Sequence, residues 1–201
     1  MSDQLKHSEE IGLASPRRYG FAAYLPPSNR RWVIRYALLM TALVNLVVNG
    51  LLAWLTTVGR SHIGLIGVPL VGAPNLVTDT LGTFAILPIT TSLLCSAGVR
   101  GYRRRGSLDQ MTLAGFGPMR WVDRLPTGDL QAGFVLAAAS LVLLAPASCA
   151  LLVGVAAGGV GRASFVIYKA LLGVSLGAVV TPIVAVRAMA EDSVTTPRLS
   201  T

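Results

Sequence analysis

The chain has 201 residues, of which 53% are hydrophobic and only 13% charged. An average soluble domain carries about 25% charged residues, so this chain has too little polar surface for an ordinary water-soluble fold. The formal charge of +8 does not point to nucleic acid: the arginines stand in short clusters beside apolar runs, and no basic face is interleaved with aromatic residues for base stacking.

Residues 1–31 read as a cytoplasmic tail. The tail is polar, contains Ser15-Pro16 and Pro26-Pro27, and leads the first apolar run by too much for a secretory signal. Disorder is expected through about Ser15. The stretch from Pro16 to Tyr24, with Arg17, Arg18, Tyr19 and Phe21, suits the membrane surface. The first span is expected at 32–57. Its uncharged part is just over 20 residues, enough at about 1.5 Å per residue to cross a hydrocarbon core of about 30 Å. Trp32 and Tyr36 would mark one interface and Trp54 the other. Val58 to Thr78 is rich in Gly and Pro yet apolar, and reads as a loop lying along the outer surface or tucked over the bundle rather than another span, since Pro69 and Pro74 interrupt any helix.

The second span is expected at 79–98, with Pro88 inside it, followed by the basic run Arg100, Arg103, Arg104 and Arg105. The connection from Gly106 to Asp129 holds an interfacial segment, Met111 to Leu125, with a short turn from Pro118 that ends before Pro126. Spans three and four are expected at 130–155 and 164–186. The short outer turn Gly158 to Arg162 would make these two antiparallel neighbours. A polar stretch opens at Arg187, and 191–201 is a C-terminal tail.

Orientation follows from the basic residues. Six lie up to Arg35, six between Arg100 and Arg124, and Arg187 and Arg198 follow, all on one side; Arg60 and Arg162 fall on the other and Lys169 within a span. The positive-inside rule then puts both termini in the cytoplasm. The expected fold is therefore an all-α integral membrane protein, a bundle of four transmembrane helices occupying 32–190, N-in and C-in. The two hairpins share a loose pattern, Asp79 with Pro88 and Lys169 with Pro182, which would make them parallel rather than inverted repeats.

Few residues stand out as functional candidates. Asp79 and Lys169 fall at comparable depth in the second and fourth spans, where each would cost about 2.5–3.5 kcal/mol if left alone at a helix centre. Pairing lowers that cost; the plainer alternatives are a helix cap for Asp79 and snorkelling for Lys169. Asn45 and Asn49 share one face of span one, as helix–helix glue or as a stripe lining a polar path that would continue through Thr80, Thr83, Thr90 and Thr91. Gly154-x-x-x-Gly158 and Gly173-x-x-x-Gly177 permit close helix packing within the bundle or between copies. Arg100, Arg103, Arg104 and Arg105 anchor the topology and offer contacts to anionic lipid headgroups. Cys95 and Cys149 read as small apolar helix residues. The two histidines, His7 and His62, build no metal or haem site in the membrane, and no nucleotide-binding glycine motif or GxSxG nucleophile is present, so no cofactor and no catalytic residue is expected.

The leading expectation is a non-enzymatic, multi-pass protein of a bacterial inner membrane, an accessory or assembly subunit of a larger complex. Its partners would be membrane lipids and a homo-oligomer or another membrane protein. The bacterial origin is an impression from the Arg- and Ala-rich composition. The alternative is a small oligomeric permease with a polar path around Asp79, Lys169, Asn45 and Asn49. An enzyme acting on lipid at the interface is a third class, without a credible catalytic group.

Overall fold

A computed structural model describes residues 25–67, 75–109, 111 and 117–190 of the chain. The expectations for the N-terminal tail up to Tyr24, for Pro69 and Pro74, and for 191–201 lie outside the described residues. The protein is mostly helical. Helix α1 spans Pro27–Thr56, α2 Leu76–Arg104, α3 Asp129–Leu143, α4 Ala145–Ala156 and α5 Arg162–Ala190. By length and apolar composition α1, α2 and α5 are able to cross a membrane, and the bent pair α3–α4 makes a fourth if it counts as one span.

Local chemistry explains most of these limits. Helix α1 starts with Pro27 in its first turn, where the missing N–H costs nothing, and passes through a π-helical turn at Val33–Leu38. Helix α2 begins at the Asn75 cap, whose side-chain oxygen accepts the Thr78 N–H at 2.9 Å. It runs through Pro88 and on past the expected end to Arg104. The expected third span is broken into α3 and α4, bent by 41° at Leu144. Pro146 follows at once, lacks the N–H that would continue the ladder, and sits in the first turn of α4. A 3-10 helix, Gly117–Arg124, occupies the place where a short turn was expected.

Two-residue strands, β1 (His62–Ile63) and β2 (Val160–Gly161), pair antiparallel and tie the loop after α1 to the turn before α5. They define a strand end of the molecule; the opposite, basic end carries Arg30 to Arg35, Arg100 to Arg105 and Arg187. Buried side chains fall in three layers. Ala53, Ile63, Leu76, Leu152, Ala156 and Phe165 close the strand end. Phe84, Leu87, Leu136, Leu176 and Val180 fill the middle. Leu25, Trp32, Val99, Met111, Val122 and Met189 fill the basic end. Both ends of the described chain therefore lie at the basic end. The loop after α1 contributes Ile63, 1% exposed, to the core, so it folds over the helix ends as well as along them.

The helices pack in the order α1, α5, α2, then α3 with α4. Of the most apolar stretch of each helix, 61% is buried in α5 and 6% in α1, which puts α5 at the centre and α1 at the rim. The last two spans, expected as antiparallel neighbours, share the cluster of Leu152, Ala156 and Phe165, but α5 packs chiefly on α1 and α2. Helices α2 and α3 approach so closely at Gly133 that a Cβ there would stand 2.9 Å from the Ile89 Cα. Gly133→Ala is expected to lose about 1–3 kcal/mol, because backbone must move. Gly154→Ala, which meets nothing within 4 Å, should be neutral or gain helix propensity. Thermal unfolding of both variants in detergent checks the contrast in sign.

Candidate functional site

The polar candidates within the helices fall into two clusters, both against α5. Near the strand end, Lys169 Nζ lies 2.5 Å from Asp79 Oδ2 of α2. It donates to Thr83 Oγ1 at 2.5 Å and to the Asp79 carbonyl at 3.2 Å. The lysine is buried, 7% exposed, so its ammonium turns into the helix interface and does not snorkel. Asp79 is not the cap of α2; Asn75 holds that role, and Asp79 sits in the first turn, where the helix dipole favours a negative charge. Thr80, next along α2, shares a 2.7 Å hydrogen bond with the Tyr168 hydroxyl. The result is a polar seam between α2 and α5 of two charges and three hydroxyls.

The second cluster joins α1 to α5. Asn49 Nδ2 donates to the Asn45 carbonyl at 3.0 Å and to its side-chain oxygen at 3.2 Å. Both amides lie across the glycines of α5. A Cβ on Gly177 would stand 2.7 Å from Asn45 Nδ2, and one on Gly173 would overlap the Asn49 amide. The four-residue spacing of the asparagines thus meshes with the four-residue spacing of the glycines, and the seam continues at Gly50 against Ala170, 3.7 Å apart by the same measure. Gly154 and Gly158, by contrast, face open space with nothing within 4 Å. Thr83 joins the lysine, Thr90 bonds back to its own helix, and Thr91 is buried in α2.

At the basic end a third network takes in Arg100, expected as a topology anchor and lipid contact, and Arg187, expected as the opening of a polar stretch. The Asp129 carboxylate, at the start of α3, pairs with Arg100 of α2 and with Arg187 of α5, the latter at 3.2 Å. Arg187 is 4% exposed and also donates to the carbonyls of Pro126, at 3.0 Å, and of Thr127. Ser92 of α2 donates to the Asp129 carbonyl at 2.8 Å. Arg100 is therefore engaged within the chain, and Arg103 reaches the Ala188 carbonyl at 3.4 Å. Arg104 and Arg105 remain exposed. The one available signal was positional: Asp129 and Arg187 each abut an apolar run on the same side. Asn29 was also unforeseen. Fully buried, it exchanges hydrogen bonds with the backbone of Asp109 at 3.0 and 2.9 Å and fixes the start of α1 against the segment after α2.

Aromatic placement differs between the ends. Trp54 is exposed and lies 3.8 Å beneath the Arg162 guanidinium, which also donates to the Trp54 carbonyl at 3.1 Å. Trp32, expected at an interface, is 7% exposed and packs inward with its ring edge-on to Tyr102. Cys95 and Cys149 are free and half-buried. No cluster of metal-ligating residues occurs among the described residues. No protein-family model, curated protein or solved structure matches the chain.

Removing one partner of a buried pair strands the other. Lys169→Met is expected to cost about 3–5 kcal/mol, and adding Asp79→Asn should recover part of it. Unfolding midpoints of the single and double variants decide this, and a double variant no better than the single contradicts the pairing energy. Asp129→Asn should cost about 1–3 kcal/mol by leaving Arg187 short of an acceptor, read in the same assay.

Proposed function

We propose that the chain is a non-enzymatic, four-span protein of a bacterial inner membrane, with both termini in the cytoplasm, that serves as an accessory or assembly subunit of a larger membrane complex. The observation that carries this reading is how the intramembrane polar groups are used. Lys169 is received by Asp79 and Thr83, and Asn45 and Asn49 lie on Gly177 and Gly173. Each of these groups joins helices within the chain. Such use fits a protein whose work is done by its shape and its outer faces. Counting the bent pair α3–α4 as one span gives four crossings, and this count and the gathering of arginines at one end support the orientation. Helix α1, at the rim, offers an apolar face in which Leu43, Val47 and Leu51 are more than half exposed, well placed for another membrane chain.

A small permease is the second reading. It is favoured by Asp79, whose side chain stays 25% exposed beside the Thr80–Tyr168 and Thr83–Lys169 contacts.

Purification from native membranes with a photo-cross-linking residue at Val47 separates the two. The subunit reading expects a stoichiometric foreign chain, joined through α1. A homogeneous homo-oligomer without a foreign chain, coupled with uptake that is lost in Asp79→Asn, would favour the permease.

A further inference from the structure

At the basic end, aromatic rings rather than charges join α1 to α2. The Trp32 and Tyr102 ring centroids lie 5.6 Å apart, Tyr36 stands 5.9 Å from the same Tyr102, and the Arg105 guanidinium sits 6.0 Å over that ring. Arg31 precedes Trp32 and Arg35 precedes Tyr36 in the chain, so both arginines belong to the stretch of α1 whose rings meet Tyr102. Arg35 and Tyr36 belong to the π-helical turn, an uncommon device often found at functional sites. Arg31, Arg35, Arg104 and Arg105 are all exposed, and no carboxylate among the described residues pairs with them. Asp129 is committed to Arg100 and Arg187, and Asp109 accepts from the Ser28 hydroxyl.

Four like charges exposed at this end repel one another, and an anion among them relieves that repulsion. Guanidinium forks match phosphate oxygens in pairs, and a tyrosine half exposed at the end of an apolar helix suits the headgroup level of a bilayer. We propose that Arg35 and Arg105, set around Tyr36 and Tyr102 with Arg31 and Arg104 beside them, form a site for the phosphate of an anionic phospholipid. Arg100, engaged by Asp129, lies outside it. The site rests on the reading that the helices cross a bilayer.

The test uses the purified full chain in mild detergent, following the unfolding temperature as phosphatidylglycerol is added. Phosphatidylglycerol is expected to raise it, and phosphatidylcholine or inorganic phosphate is not. Arg35→Gln with Arg105→Gln should raise the half-saturating phosphatidylglycerol concentration roughly 30-fold, about fivefold for each arginine near an anionic surface. Arg35→Lys with Arg105→Lys, which keeps the charge, should stay within a few-fold of the parent, and Arg60→Gln should not differ from it. An unchanged titration in the double glutamine variant, or an equal response to phosphatidylcholine or inorganic phosphate, would overturn the site. Failure of the chain to float with vesicles would instead overturn the membrane reading on which it rests.

Discussion

The ammonium of Lys169 can stay among apolar helices only because α2 supplies a carboxylate and a hydroxyl within hydrogen-bond reach. A charge in such surroundings costs more than a marginal helix contact returns, so the ion pair constrains geometry more than it adds stability. It fixes the rotation of α5 against α2 and the depth at which they meet. The Asn–Gly seam then fixes α1 against another face of α5, and Asp129 ties α3 to both α2 and α5 at the basic end. Each polar contact restricts one degree of freedom that apolar packing alone would leave loose. Within a bilayer this matters, because lipid tails compete equally for apolar helix surface.

A division of labour between the ends follows. At the strand end the chain closes on itself: the β1–β2 pair, the His62 ring nitrogen 2.8 Å from the Gly158 carbonyl, and Arg162 stacked on Trp54 hold the loops across the helix ends. At the basic end, internal pairing uses Arg100 and Arg187, while Arg31, Arg35, Arg104 and Arg105 stay outward. The first end suits confinement of the fold and the second suits contact with an anionic surface.

The sequence carried the helices well and their neighbours poorly. Long apolar runs place the helices, because length and polarity are local properties. The comparable depth of Asp79 and Lys169 could be read from the expected topology. The four-residue spacings of Asn45 with Asn49 and of Gly173 with Gly177 were each visible, but that they face one another was not, since it depends on which helices adjoin. The short turn before α5 made α4 an expected neighbour, but could not show that α5 packs chiefly on α1 and α2. Gly154 and Gly158 carry the same motif and face open space, so spacing alone does not identify a packed glycine. Arg187 read as the opening of a polar tail because nothing local shows that it turns back to Pro126, Thr127 and Asp129. The two-residue strands leave no periodic signal at all.

The account turns on the polar groups of α1 and α5 being used up in helix contact, not lining a path for water or solute. Single cysteines at positions 45 and 49, in a chain with Cys95 and Cys149 replaced by alanine, test this in intact membranes with a water-soluble maleimide. The account predicts no labelling at either position, with a cysteine at the exposed position 60 labelling readily as the control. Labelling at 45 and 49 would mean that water reaches the α1–α5 seam, and would contradict the account.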